Sequence, residues 1–278
     1  MTKGIDVSTW QGKIDWNQVK GAGIHYAILR SSFGSSDPSQ VDNQFENNYK
    51  GAKAAGIPVG AYHYGYAVSE AEARQEAKFF LDTIKGKQFE YPVYYDVEDN
   101  RTMGTLSRQA LTNVIKAFCS EVEKAGYYVG VYASLSWLNG KLNSPLLDKY
   151  DKWVAQWNSV CTYKKPYGIW QFTDSLAVSG KNFDGNWAYK NYPSIVQAMN
   201  EPEKEEPELT EAEVKEIARR EIEAYFAELA KKPVADWAQE AVEFVQAEGL
   251  MRGDAEGGFR PQSFITRQEV AAVLKNLS

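Results

Sequence analysis

The sequence predicts an α/β fold: an eight-stranded closed barrel that has lost its final helices, followed by a small second domain. Three observations carry this. Strand-like and helix-like segments alternate up to about residue 140, strands with short loops then follow one another, and the composition turns acidic near residue 201. Alternation implies a parallel sheet with right-handed crossovers. Eight strands suffice to close a barrel, with the C-terminal strand ends opening on one face where sites are built.

Gly4-Ile5-Asp6-Val7-Ser8 reads as a short first strand, and Asp15 as the N-cap of a helix running to about Gly21. His25–Arg30 is the second strand, and a helix from Phe45 to Ala55 stops at Gly56. Pro58–Tyr64 is the third strand. Ser69 with Glu72 forms a capping box that opens a helix to Ile84. The segment 92–98 is strand-like, and Ser107–Ala125 is helical up to Gly126. Tyr127–Tyr132, a short helix near 135–140, and strands at 152–157, 169–173, 176–178 and 182–186 complete the first 200 residues.

Tyr94, Asp96 and Glu98 share one face of their strand, because side chains alternate along it. Two carboxylates thus project to one side from Cα atoms roughly 6.5–7 Å apart, an arrangement that gains no stability and raises at least one pKa on burial. Asp6, Asp96, Glu98 and Asp184, distant in sequence, all fall at strand ends and are expected to line one cleft. Arg30, Tyr62, Tyr64, Tyr132, Trp153, Trp170 and Gln171 fall at strand ends too. The aromatics are candidates for stacking on sugar rings, with Tyr62 and Tyr132 favoured, while Arg30 is expected to pair with cleft carboxylates and His63 to form a hydrogen-bonding wall. Two histidines and two cysteines, with no metal-ligand spacing, predict neither a metal nor another cofactor.

Residues 201–278 hold 18 acidic and 10 basic side chains, a net of −8 against −6 for the whole chain, so residues 1–200 are near neutral. That balance argues against nucleic acid as a partner. No run of 18 apolar residues exists, which predicts no membrane span. The N-terminus lacks a hydrophobic signal region, so the expectation is synthesis in the cytoplasm and, if the protein works outside the cell that makes it, release by another factor.

Gly4-Ile5-Asp6-Val7-Ser8, Asp15-Trp16, Gly60-Ala61-Tyr62-His63-Tyr64, Asp96-Val97-Glu98, Gly130-Val131-Tyr132-Ala133-Ser134, Trp170-Gln171 and Phe183-Asp184-Gly185-Asn186 together resemble the family 25 glycoside hydrolases. The resemblance spans roughly residues 1–195. It implies an irregular (β/α) barrel of five β/α units followed by strands. The implied activity is that of a lysozyme of the phage-endolysin type, an N-acetylmuramidase that cleaves the β-1,4 bond between N-acetylmuramic acid and N-acetylglucosamine in peptidoglycan. By position, Glu98 is the implied proton donor, and Asp6, Asp96 and Asp184 are the remaining acids of the catalytic site. With Asp96 two residues before the acid, the favoured route is attack by the substrate's own N-acetyl group, oriented by Asp96. A chitinase-like glycosidase and a non-catalytic glycan-binding protein are the competing readings. The Gly-Ile-Asp-Val-Ser start fits the first less well, and the four carboxylates make the second unnecessary.

Glu201–Glu208 reads as an acidic linker, placing the catalytic barrel at 1–198, the linker at 199–209 and a second domain at 210–278. Thr210 with Glu213 opens a helix whose Val214, Ile217, Ala218, Ile222, Tyr225, Phe226 and Leu229 make one apolar face. That face is expected either to pack on a neighbouring domain or to self-associate. Ala235-Asp236-Trp237-Ala238, Gly249-Leu250-Met251-Arg252-Gly253, Gly258-Phe259-Arg260-Pro261 and Ile265-Thr266-Arg267-Gln268-Glu269 resemble a single S-layer homology module. The resemblance implies a small helical domain that binds a secondary cell-wall polymer through Arg267 and Trp237. Because such modules work in threes, a lone copy also points to a homo-oligomer formed through residues 210–278.

Overall fold

A computed structural model describes residues 1–35, 37–200, 210–253, 259–262 and 264–276. The chain divides into two compact units, Met1–Glu203 and Lys204–Ser278. Residues 201–209 of the expected linker lie outside the described residues, as does Gly258.

The first unit runs β1 (Thr2–Val7), α1 (Trp16–Gly21), β2 (Tyr26–Phe33), α2 (Phe45–Ala54), β3 (Val59–Tyr64), α3 (Glu70–Ile84), β4 (Val93–Asp96), α4 (Arg108–Lys124), β5 (Val129–Ser134) and α5 (Leu135–Asn139). After these five β/α units come β6 (Asp151–Ala155), β7 (Ile169–Val178), β8 (Lys181–Ala188) and α6 (Tyr192–Asn200). The strands pair in sequence order into a closed barrel. Pairing from β1 through β7 is parallel, and β8 closes the ring antiparallel to both β7 and β1. An antiparallel pair needs only a tight turn, so the last strand requires no crossover helix. Ser179 and Gly180, with φ of 49° and 80°, make that turn. Segments 169–173 and 176–178, read as two strands, are one ten-residue strand whose register shifts around Thr173.

Local chemistry sets the helix ends. Asp15 accepts the N–H groups of Asn17 and Gln18, and Ser107 accepts that of Ala110. Gly56 and Gly126, at φ of 67° and 86°, follow α2 and α4 in the left-handed conformation. The expected box at Ser69 is shifted: Ser69 accepts from Glu72 N, but the Glu72 carboxylate accepts from Val68 N at 2.8 Å. Helix α6 was not anticipated. Its first residue, Tyr192, is fully buried and donates its hydroxyl to Asp151, with its ring 5.3 Å from that of Tyr91.

Alternation divides each strand between two cores. One face packs Val7, Leu29, Tyr95 and Phe118 between sheet and helices. The other fills the barrel with Tyr26, Tyr94, Tyr132, Trp153 and Tyr192. Rings this large fit because glycine faces them: a Cβ at Gly4 would lie 2.3 Å from the Tyr26 ring, and one at Gly130 would lie 2.4 Å from Tyr94.

The second unit contains α7 (Glu211–Ala230), α8 (Gln239–Ala247) and α9 (Arg267–Asn276). Thr210 and Glu213 form the expected capping box, and Thr266 and Glu269 make the same reciprocal pair at α9. Along α7, Val214, Ile222, Tyr225 and Phe226 are exposed, while Leu229 is buried. No helix among the described residues is long and apolar enough to cross a membrane.

Candidate active site

Barrel register brings the predicted polar residues to one level. Asp6 lies opposite Asp184 across β1 and β8, and Arg30 lies opposite Tyr62 across β2 and β3. Tyr64 faces Asp96, Asp96 faces Tyr132, and Tyr132 faces Trp153 across the next three pairs. Strand β4 ends at Asp96, so Glu98 stands two residues beyond the sheet. A cavity of about 310 Å³ opens here, lined by all four carboxylates together with Tyr62, Tyr64, Tyr132, Trp153 and Gln171.

Its floor is a hydrogen-bonded lattice. Asp6 Oδ2 accepts from Gln171 Nε2 at 2.9 Å and from Asn186 Nδ2 at 2.7 Å. Asn186 Oδ1 accepts the indole N–H of Trp153 at 2.7 Å. Gln171 Oε1 accepts both the Tyr132 hydroxyl at 3.1 Å and the Trp157 indole N–H at 3.0 Å. Trp153, only 1% exposed, packs edge-on against Tyr62 and Tyr132 and is held as the base of the cavity. Every polar atom of these amides is thereby oriented toward Asp6 or an aromatic donor, which fixes the amide rotamers.

Asp96 differs. It is 4% exposed, and its Oδ1 is buried with no hydrogen-bond partner among the described residues. Buried polar atoms are rarely left so.

All four acids are pushed upward. Burial is the first cause for Asp6, followed by the charge of Asp184, with Asn186 and Gln171 pulling the other way. Burial also leads for Asp96, then the charges of Glu98 and Asp6, opposed by Arg30. Glu98 is raised by burial and then by Asp184 and Asp99. Asp184 is raised to about 6, chiefly by burial, while its hydrogen bond with Asp6 opposes the shift. Four interacting carboxylates titrate as a set. This is the clustering of perturbed acids that marks functional sites.

Three expectations need correction. Trp170 lies outside the cavity lining: its indole donates to Gln156 O at 2.8 Å and its ring packs on Phe172, because it points opposite to Gln171 on β7. Arg30 pairs with the buried Asp42 at 2.8 Å, not with a cleft acid, although its charge reaches Asp96. His63 is fully buried on the helix side of β3, bonded to Ser32 Oγ at 2.8 Å. Sequence reasoning missed Asn186, Trp157 and Trp10. Asn186 was within reach, two residues from Asp184 on the same strand face. Trp10 follows β1 on a short turn, where no periodicity marks direction, whereas Trp157 stands at even spacing from Trp153, so alternation along the expected strand 152–157 pointed to it. Among the described residues, no group of three or more His, Cys, Asp or Glu is arranged to hold a metal.

A profile of the glycosyl hydrolases family 25 matches residues 5–181. The chain belongs to this family. A profile of the S-layer homology domain matches residues 231–271. An autolytic lysozyme of Clostridium acetobutylicum is 31% identical over 179 residues, covering 64% of this chain and 52% of that protein. Lysozyme M1 of Streptomyces globisporus is 30% identical over 198 residues, covering 66% and 65%. The chain thus spans between half and two thirds of these curated relatives. The solved bacterial lysozyme of Streptomyces coelicolor superposes with a TM-score of 0.63 at 28% identity, over 72% of this chain and 97% of that one. The family's β/α barrel is the one described above, including the five β/α units ahead of the final strands.

Proposed function

We propose that this family 25 chain hydrolyses the β-1,4 bond between N-acetylmuramic acid and N-acetylglucosamine of peptidoglycan, with Glu98 as general acid. The observation that carries this reading is the unpartnered Asp96 Oδ1, buried in an acid-lined cavity two residues before Glu98. An acetamido N–H is the group that such an atom meets on this polymer. With Asp96 accepting that N–H, the acetamido oxygen attacks the anomeric carbon as Glu98 protonates the departing oxygen. The resulting cyclic oxazolinium is opened by water, whose proton returns to Glu98. Burial and then the charges of Asp184 and Asp99 raise Glu98, the direction that favours a proton donor, while Arg30 opposes the rise at Asp96. The tyrosines and Trp153 shape the cavity to one pyranose ring. Lysozyme names among its relatives support the same chemistry.

Glu98→Gln tests the assignment. Purified wall digested by the native enzyme yields new reducing muramic ends, and the variant is expected to lose about 10²–10⁴-fold or more of that rate while still binding wall. Retained activity would move the acid elsewhere. Release of sugar from chitin instead of wall would favour a chitinase. Full-rate cleavage of a substrate lacking the acetamido carbonyl would remove the neighbouring-group route.

For the second unit, the reading is attachment to an anionic wall polymer. Its support is the S-layer homology match together with the 89% exposed Trp237 and the exposed Arg267 at the start of α9. The exposed apolar side chains of α7 support self-association of this unit as well.

A further inference from the structure

Helix α3 buries an apolar stripe of Ala73, Ala77, Phe80 and Ile84, and Glu76 interrupts it. The side chain is 2% exposed and takes no part in lining the catalytic cavity. A carboxylate on a core stripe gains nothing for packing and must be held by hydrogen bonds. We propose that Glu76 is a positioning residue for the reaction: from behind the sheet it locks the ends of β3 and β4 together and so places Asp96 in the cavity. The inference rests on the hydrolase reading of that cavity.

The contacts of Glu76 run to both strand ends. Its Oε1 accepts the backbone N–H of Tyr66, just past β3, at 2.8 Å. Its Oε2 accepts the hydroxyl of Tyr95, the residue before Asp96, at 2.6 Å. Between Tyr66 and the end of β3 lies Gly65, whose N–H donates to Asp96 O at 3.0 Å. The Asp96 backbone is thus tied to Gly65-Tyr66, and that segment to Glu76. The fit leaves no slack. A Cβ on Gly65 would lie 2.6 Å from the Tyr95 ring, and that ring stacks on Phe118 with centroids 3.8 Å apart. Alternation carries the constraint through the sheet: Tyr95 points back to α3 and its neighbour Asp96 forward to the cavity, so a turn of one strand end moves both.

His63 stands beside the same carboxylate. Its Nδ1 is bonded to Ser32 Oγ at 2.8 Å, and its Nε2 lies 3.7 Å from Glu76 Oε2 with no hydrogen-bond partner among the described residues. His63 faces Tyr95 across β3 and β4, and Tyr64 faces Asp96 one rung further on. Glu76 therefore meets both members of the rung that precedes the cavity. Stability alone is served as well by an apolar side chain at such a place.

The test measures kcat and KM on soluble glycan, thermal unfolding, and amide hydrogen exchange at Gly65 and Tyr66, all in the full chain. Glu76→Ala should lower kcat by about 10²-fold with KM near native, since misplacement by about 1 Å suffices for such a loss. Exchange at Gly65 and Tyr66 should quicken. Glu76→Gln keeps an acceptor for Tyr66 N and a partner for the Tyr95 hydroxyl, and should restore kcat to near native. Tyr95→Phe, which deletes one hydroxyl and no packing, should lower kcat by about 2- to 10-fold and decides the matter if the alanine variant does not fold. Tyr192→Phe, which loses its bond to Asp151 at the other end of the barrel, serves as the control: a lower melting temperature with native kcat. Native kcat in Glu76→Ala or in Tyr95→Phe would overturn the assignment, as would a loss that Glu76→Gln does not repair or that the control shares. Slower turnover with unchanged exchange would overturn it too. If the native enzyme releases nothing from glycan or wall, the hydrolase reading fails first and the assignment with it.

Discussion

Asn186 supplies the most exacting test of the site's electrostatics. It is fully buried, donates to Asp6 at 2.7 Å and accepts from Trp153 Nε1 at 2.7 Å. Asn186→Ala removes both bonds at once. Loss of a hydrogen bond to a charged group weakens the Asp6 carboxylate by about 1.5–3 kcal/mol, and each pKa unit corresponds to about 1.4 kcal/mol. Asp6 is already raised, chiefly by burial, and Asn186 is the larger of the two donors that oppose the rise, so the variant's Asp6 should move further up. The Trp153 N–H, left in the barrel without an acceptor, costs about 1–3 kcal/mol of stability in addition. Two measurements follow: thermal unfolding at pH 7, and kcat/KM against pH on soluble glycan. Because the ionised form now requires a higher pH, the acidic limb of the rate profile should shift upward, while the melting temperature falls. A lowered melting temperature with an unshifted acidic limb would mean that turnover does not require ionised Asp6.

Asp184→Asn should lower activity and yet stabilise the fold. The folded pKa near 6 lies above the unfolded value, so the native carboxylate costs stability at neutral pH. The gain should be full above about pH 6 and vanish below about pH 4, with a size of about 1–2 kcal/mol once solvent screening is allowed for; a variant no more stable at pH 7 would contradict the raised pKa. Asp42→Ala should destabilise by about 3–5 kcal/mol in chemical denaturation, since it strands the largely buried Arg30 and releases Thr9 N and Gln44 N together. A loss below about 1 kcal/mol would show that Arg30 is solvated. Sedimentation of the full chain at micromolar concentration should find an oligomer if α7 associates, and a monomer would end that proposal.

Much of the fold could be read because each local signal agreed with the global one. Asp15, Ser107, Gly56, Gly126 and Thr210 all act at the helix ends where their chemistry placed them. What escaped were features decided by partners distant in the chain. Helix α6 begins Tyr192-Pro193, and its place is held by Tyr192 reaching Asp151, 41 residues away. Arg30 was assigned to the nearest expected acids, but Asp42 lies on a loop whose position only the fold determines. Trp170 failed for a plainer reason: period-two alternation already put it opposite Gln171, and both residues could not face the cavity.

The same alternation sharpens the roles of the strand-borne pair. Asp96 and Glu98 both carry raised pKa values, so titration by itself does not choose the acid. Position does. A general acid must regain its proton from water in every cycle, which requires contact with solvent. Asp96 closes strand β4 at 4% exposure, its Oδ1 buried at the cavity wall without a partner among the described residues. Glu98 stands beyond the sheet, half-buried, on a side chain one methylene longer. The enclosed carboxylate suits a fixed contact with a bound acetamide, and the half-open one suits proton exchange. Exchanging the two, as Asp96→Glu with Glu98→Asp, preserves charge and number of acids but withdraws the donor from the cavity by one methylene. Activity should fall by about 10²-fold or more with the fold intact, since misplacement by about 1 Å is enough for such a loss. Native rates in the exchanged enzyme would mean that the roles follow total charge and not geometry.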